Sequence, residues 1–300
     1  MTTSERILYE LICEGDIKRA QARLKTMLEY STTKNDAAFR KELLDRLKAK
    51  EGTSVELPSN LQGLLIAEDS AKFPIDRYLI REGEERIAKS ILDAYSVAQE
   101  LTDLGIKYAP SLMLYGVSGG GKTTLARYIA YKAKLPFIYV KFSALINSAL
   151  GGTQANIAKI FDFAKTRPCV LCFDEIDTVG MARGQENDIG EMNRITITLM
   201  QELDTLNNDT ILIGTTNRYD RLDDALIRRF TKKSKVLPLN ASEVSSLARK
   251  FFDTAKVDAS EWIAEWIKDN FADDELECAS TVIERCTQKL VSILMKNKKD

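Results

Sequence analysis

The chain is 300 residues long, 44% hydrophobic and 29% charged, with 43 basic against 44 acidic side chains and a net charge of −1. That balance suits a soluble globular chain of about two domains, and it offers no global positive charge to draw in nucleic acid or an anionic membrane. There is no histidine, which excludes Ser-His-Asp and Cys-His catalysis and histidine zinc ligation within the chain.

Residues 4–30 carry apolar positions at helical spacing, Ile7, Leu8, Leu11, Ile12, Ile17, Ala20, Leu24 and Leu28, with a break at Glu14-Gly15-Asp16. Residues 36–49 repeat the pattern more weakly, so 1–50 read as a small helical unit. The segment EGTSVELPSNLQG (51–63) has the Gly, Pro, Ser and Asn of a linker. Residues 81–104 form a charged amphipathic helix that ends near Gly105.

Beyond Gly105 the period changes. Short apolar runs at 111–115, 137–142, 169–173, 210–216 and 235–239 predict strands. Helical stretches at 122–134, 154–166 and 190–205 lie between them. Strands alternating with helices imply βαβ units and a parallel sheet covered on both faces. From Ser242 onward the pattern is helical only and predicts a separate small unit. No apolar run approaches the roughly eighteen residues of a membrane helix. The N-terminus, MTTSERILYELICEGD, lacks the pattern of a signal peptide. Five scattered cysteines fit a reducing cytoplasm better than a disulfide framework.

The stretch GVSGGGKT (116–123) fits G-x-x-x-x-G-K-[ST], with a strand before it and a helix after it. Glycines let backbone N–H groups curl around phosphate oxygens, and the helix N-terminus adds positive potential. Gly116, Val117, Ser118, Gly119, Gly120, Gly121, Lys122, Thr123 and Thr124 are therefore the candidate nucleotide-binding residues. Lys122 can reach the β- and γ-phosphates of ATP, and the Thr123 hydroxyl can ligate Mg²⁺. The bland alternative is a glycine-rich turn with an exposed lysine.

CVLCFDEID places Asp174 and Glu175 at the C-terminal end of an apolar strand, the edge where parallel α/β sheets bind ligands. Asp174 would hold Mg²⁺, and Glu175 would act as general base toward the attacking water. Cys169 and Cys172 make a C-x-x-C, but on a strand these positions face opposite sides and should not share a metal. ILIGTTN ends at Asn217, another strand tip. It fits a residue that positions water or senses the γ-phosphate, and equally a turn-forming asparagine. Arg228 and Arg229 close a short helix. They read either as C-terminal helix charges or as arginine fingers acting on a neighbouring subunit's ATP.

The phosphate loop (116–123), FDEID (173–177), GTTN (214–217) and LDDALIRRF (222–230) stand in order and at matching spacing. In these motifs, over roughly residues 60–300, the chain resembles AAA-family ATPases of the AAA+ superfamily. The resemblance implies a P-loop NTPase αβα sandwich with a five-stranded parallel sheet, a C-terminal helical lid and an N-terminal helical extension. The divisions would be a partner-binding unit at 1–50, a linker at 51–80, the large ATPase domain at 81–240 and the lid at 241–300. It implies a ring, usually hexameric, with ATP at subunit interfaces. Asn217 then matches the sensor-1 residue, Arg228 and Arg229 the trans-acting arginines, and Arg194 a basic interface position.

The N-terminal unit is similar to that of small stand-alone bacterial AAA proteins, some of which are paired with a subtilisin-like protease. Two departures stand out. The usual loop has two prolines and a threonine where this chain has Val117-Ser118 and Gly120. Where AAA unfoldases carry an aromatic-apolar-glycine pore loop, the aligned residues are Ala149-Leu150-Gly151, without the aromatic.

The function expected is Mg²⁺-dependent ATP hydrolysis in a cytoplasmic ring, coupled to a protein partner held by the N-terminal helices. The alternatives are a nucleotide-gated scaffold controlling a partner enzyme such as a protease, and a nucleic-acid-handling ATPase. Against the last stand the net charge and the absence of a basic arm.

Overall fold

The computed structural model describes residues 3–13, 20, 23–24, 26–28, 52–106, 108–142, 145, 152–178, 189–206, 208–271 and 275–296. Most of the N-terminal helical unit, the pore-loop position 149–151 and the C-terminal KKD lie outside them. Of that unit, helix α1 (Thr3–Cys13) is described.

Six strands form one sheet: β1 (Leu65–Glu68), β2 (Ser111–Tyr115), β3 (Phe137–Val140), β4 (Cys169–Phe173), β5 (Thr210–Thr216) and β6 (Lys232–Lys235). Their order is β1-β3-β4-β5-β2-β6. The last five are mutually parallel, which matches the parallel sheet read from the alternation. The sixth strand, β1, was not expected. It comes from the stretch assigned to a linker and pairs antiparallel with β3, Leu65 opposite Val140.

The last strand also differs from expectation. It spans 232–235, not the apolar 235–239. The ladder continues only one residue further, where the Val236 N–H donates to Tyr115 O at 2.8 Å. Pro238 follows, with no N–H to add. As an edge strand with alternating half-buried and exposed positions, Lys-Lys-Ser-Lys needs no apolar run.

Helices cover both faces. On one face α5 (Gly152–Lys165) and α6 (Ile189–Thr205) pack against Met113, Ile138, Leu171, Phe173 and Leu212. On the other, α2 (Glu82–Ser96) and α4 (Lys122–Ala133) pack against Leu112, Leu114, Val170, Cys172 and Ile213. Alternate residues of one strand thus serve opposite cores, as the two-residue strand period requires. Cys169 falls in the first core and Cys172 in the second, so the C-x-x-C is split by the sheet. Burial pushes the Cys169 thiol up to about 12 and raises that of Cys172, which leaves both as small apolar fillers.

The helix expected over 81–104 is two, α2 and α3 (Ala98–Asp103), interrupted at Val97. α3 closes at Gly105 with φ of 77°. The Ile106 N–H reaches back to Leu101 O at 2.9 Å, the closure that a left-handed glycine permits.

A third core belongs to the C-terminal helices α8 (Ala241–Ala255), α9 (Ser260–Asn270) and α10 (Ala279–Lys296), around Val244, Leu247, Phe252, Ile263, Trp266 and Val282. Asn240 and Glu243 start α8 with a reciprocal capping box. Polar contacts bind this unit to the sheet side. Leu239 and Glu277 exchange backbone hydrogen bonds of 2.8 and 2.9 Å. The Arg81 guanidinium donates to Pro238 O and pairs with Glu243 of α8 at 3.7 Å.

Candidate functional site

At the C-terminal edge of the parallel strands lies a cavity of about 550 Å³. β2 ends at Tyr115 and the chain turns through the glycine loop into α4. Three of the loop glycines have positive φ: Gly116 at 142°, Gly119 at 72° and Gly121 at 99°. Gly121 is the N-cap of α4 in the left-handed region. A Cβ on Gly116 would sit 2.3 Å from Val236 O, and one on Gly119 would sit 2.0 Å from Ser280 Oγ. Gly116 is thus demanded by close approach to backbone as well as by dihedral, and Gly119 chiefly by its dihedral, since the Ser280 hydroxyl can turn aside.

Gly120 differs. It has no positive φ, and its Cβ would lie 3.2 Å from Val117 O, which a shift of a few tenths of an ångström relieves. We expect Gly120→Thr to keep nucleotide affinity within about threefold of the native protein, through a stiffer loop with fewer unfolded conformations. Gly119→Ala should weaken it about tenfold or more, since left-handed alanine is strained by about 1–2 kcal/mol. Titration with a fluorescent ATP analogue compares the two. Equal losses would show that the loop tolerates no Cβ anywhere.

Lys122 opens α4 and is only 7% exposed. Its ammonium donates to Gly116 O at 3.0 Å, Val117 O at 2.8 Å and Asn217 Oδ1 at 2.5 Å. Burial pushes its pKa below the ordinary lysine value, and the carboxylates of Asp174, Asp177 and Glu175 oppose that shift. Thr123, one residue on, donates its hydroxyl to both Asp174 oxygens at 3.1 Å. Asp174 also accepts from Thr215. Tyr139 of β3 pairs with it too; burial first, then the Asp174 charge and hydrogen bond, raise the phenol to about 12.

The structure therefore brings Ser118, Gly119, Gly120, Gly121, Lys122, Thr123, Thr124, Asp174, Glu175 and Asn217 to one cavity wall. Gly116 and Val117 do not line it. They act through their carbonyls, which hold Lys122. The hydroxyl of Thr123 and the carboxylate of Asp174 converge as paired oxygen donors, a set that fits Mg²⁺.

Arg228 and Arg229 line no part of this chain's cavity, and they part company. Arg229 is tied down by Asp204 at 3.1 Å and by Ala225 O at 2.7 Å. Arg228, at the end of helix α7 (Asp224–Ile227), is exposed and makes no side-chain hydrogen bond or ion pair among the described residues. Arg194 lies exposed on α6.

Sequence reasoning missed several lining residues. Tyr78, Leu79 and Ile80 lie in the stretch assigned to a linker, and Leu239, Leu247 and Ile283 come from the C-terminal side. Together they make the apolar end of the cavity. Leu79, Leu239, Leu247 and Ile283 also pack in the third hydrophobic core. Thr215 and Thr216 were missed as well. The GTT run was the only available signal for them. Thr216 donates to Asp177 at 2.7 Å and accepts from the Arg218 N–H at 2.8 Å.

Part of the chain matches known proteins. Residues 112–237 match the family described as "ATPase family associated with various cellular activities (AAA)". The chain is 36% identical to the peroxisomal ATPase pex6 of Schizosaccharomyces pombe over 205 residues, 63% of this chain and 22% of that protein. It is 35% identical to PEX6 of Arabidopsis thaliana over 198 residues, 63% of this chain and 21% of the relative. With PEX6 of Saccharomyces cerevisiae it shares 42% over 140 residues, 44% of this chain and 14% of the relative. The aligned part thus spans between about a seventh and about a fifth of these curated relatives. Among the described residues no helix is long and apolar enough to cross a membrane.

Proposed function

We propose, from the premise that residues 112–237 form an AAA-family ATPase domain homologous to the PEX6 ATPases, that this chain hydrolyses ATP and couples the reaction to work on a protein partner. The observation that carries the reading is the convergence of Lys122, Thr123, Asp174, Glu175 and Asn217 on one cavity. Lys122 meets the β- and γ-phosphates, and the loop N–H groups and the start of α4 take the rest of the phosphate charge. Thr123 and Asp174 would hold Mg²⁺, which when bound offsets charge on the phosphate oxygens. Glu175 accepts the proton of the attacking water, and Asn217 orients that water. The apolar end of the cavity takes the base.

The ATPase domain so read takes in β1 as well as residues 81–240. Residues 241–300 form the lid, and 1–50 carry the partner-binding helices. The relatives' names give ATP hydrolysis and a peroxisomal setting, and only the reaction is carried over. They add nothing for a protease, so the partner is stated as protein only. A cytoplasmic ring remains the expected setting.

In that ring Arg228 is the better finger. It is exposed and makes no side-chain hydrogen bond or ion pair among the described residues, whereas Arg229 is held by Asp204. We expect Arg228→Ala to lower turnover by at least about 1,000-fold with ATP affinity retained, and Arg229→Ala to cost less. Phosphate release in mixtures of Arg228→Ala with Lys122→Ala subunits tests the trans assignment. Recovery of activity on mixing supports it. Purely additive inactivity at every ratio, with mixed assemblies present, overturns it.

A further inference from the structure

Among the described residues, three other than glycine have left-handed backbones: Lys134, Glu175 and Lys256. Lys134 and Lys256 are C-caps of α4 and α8, where that conformation closes a helix. Glu175 closes no helix. It follows Asp174 at the tip of β4 with φ of 54°, and something must hold it there.

Among the described residues, a side chain on the neighbouring strand bonds to its backbone. β4 and β5 pair with Phe173 opposite Gly214, so Thr215 lies beside the turn that leaves β4. Thr215 is fully buried. Its hydroxyl donates to Asp174 Oδ1 and accepts from the Glu175 N–H at 3.2 Å. A single Oγ1 thereby joins the carboxylate of one residue to the backbone of the next. It uses its one proton in one direction and a lone pair in the other.

We propose that Thr215 is a positioning residue for catalysis, setting the turn that aims the Glu175 carboxylate at the cavity while fixing one oxygen of Asp174. The proposal rests on the reading of Glu175 as general base. It also gives the paired threonines of GTT separate work. Thr215 serves Asp174 and Glu175, and Thr216 serves Asp177 and the Arg218 N–H. A purely structural hydroxyl would affect folding and nucleotide binding together. A positioning hydroxyl affects turnover alone.

Thr215→Val keeps the shape and removes the hydroxyl. Turnover is measured by phosphate release with Mg²⁺ and ATP, and binding by titration with a fluorescent ATP analogue. We expect kcat to fall about 30-fold, because small misplacements of a catalytic group cost up to about 100-fold, while affinity stays within about threefold. Thr215→Ser should restore kcat to within about threefold. Exchange of the Glu175 amide hydrogen without nucleotide, a readout independent of turnover, should quicken about tenfold in Thr215→Val as its acceptor is lost.

Thr215→Ala, which adds no methyl in place of the hydroxyl, repeats the measurements should the valine protein fail to fold. Parallel losses of binding and turnover would assign Thr215 to folding and overturn the proposal. So would native kcat in Thr215→Val alongside an inactive Glu175→Gln, an outcome that leaves the base reading intact. Native turnover by Glu175→Gln would overturn the base reading and the proposal with it.

Discussion

Lys122→Ala should weaken ATP binding by at least about 100-fold, about 2.7 kcal/mol. Lys122 is the one basic side chain among the described residues lining the cavity, which also presents the carboxylates of Glu84, Asp174, Glu175 and Glu284. Without the ammonium, a polyanionic ligand meets a wall of like charge. A charge-assisted hydrogen bond in such a buried setting is worth about 1.5–3 kcal/mol, and the repulsion adds to it. The variant also loses the donor that spans Gly116 O, Val117 O and Asn217 Oδ1, so the loop itself loosens. Titration with a fluorescent ATP analogue measures the loss, with thermal unfolding as a check on the fold. Affinity within tenfold of native would mean that backbone N–H groups alone carry the phosphates.

Glu175→Gln should leave ATP affinity within about threefold and lower kcat by about 100- to 10,000-fold, the usual worth of a positioned general base. The amide keeps the size of the carboxylate and removes its proton affinity. The backbone that presents it, held by Thr215, is unchanged. Phosphate release gives kcat, and light scattering with ATP reports whether the stalled protein accumulates as a larger assembly. A combined loss of binding and turnover would assign Glu175 to holding the nucleotide rather than to activating water.

The parts of the site legible in the sequence are those where the backbone is the chemistry. Gly116 and Gly121 announce themselves because their positive φ suits no other residue so well, and Lys122 must follow them at the start of α4. Asp174, Glu175 and Asn217 were legible because strand tips in a parallel sheet share one edge. What remained hidden depended on distant packing. β1 is four residues in a stretch with turn chemistry on one side, and its partner Val140 is far along the chain from Leu65. β6 is polar because one of its edges is open, so apolarity pointed to the residues after it. The two arginines look alike in sequence. The approach of Asp204, from the far end of α6, and the Ala225 carbonyl tell them apart.

The hydrogen bond from the Ser280 N–H to Gly119 O, 3.0 Å long, has a mechanical consequence. It fastens the first turn of α10 to the glycine loop between β2 and α4, so that loop is also a bearing. α10 has 18 residues, about 27 Å of rigid rod at the usual helical rise, so a rotation of about 10° at the loop carries its far end about 5 Å. A small rotation among the glycines would thereby be geared up into a displacement of several ångströms at the far end of α10.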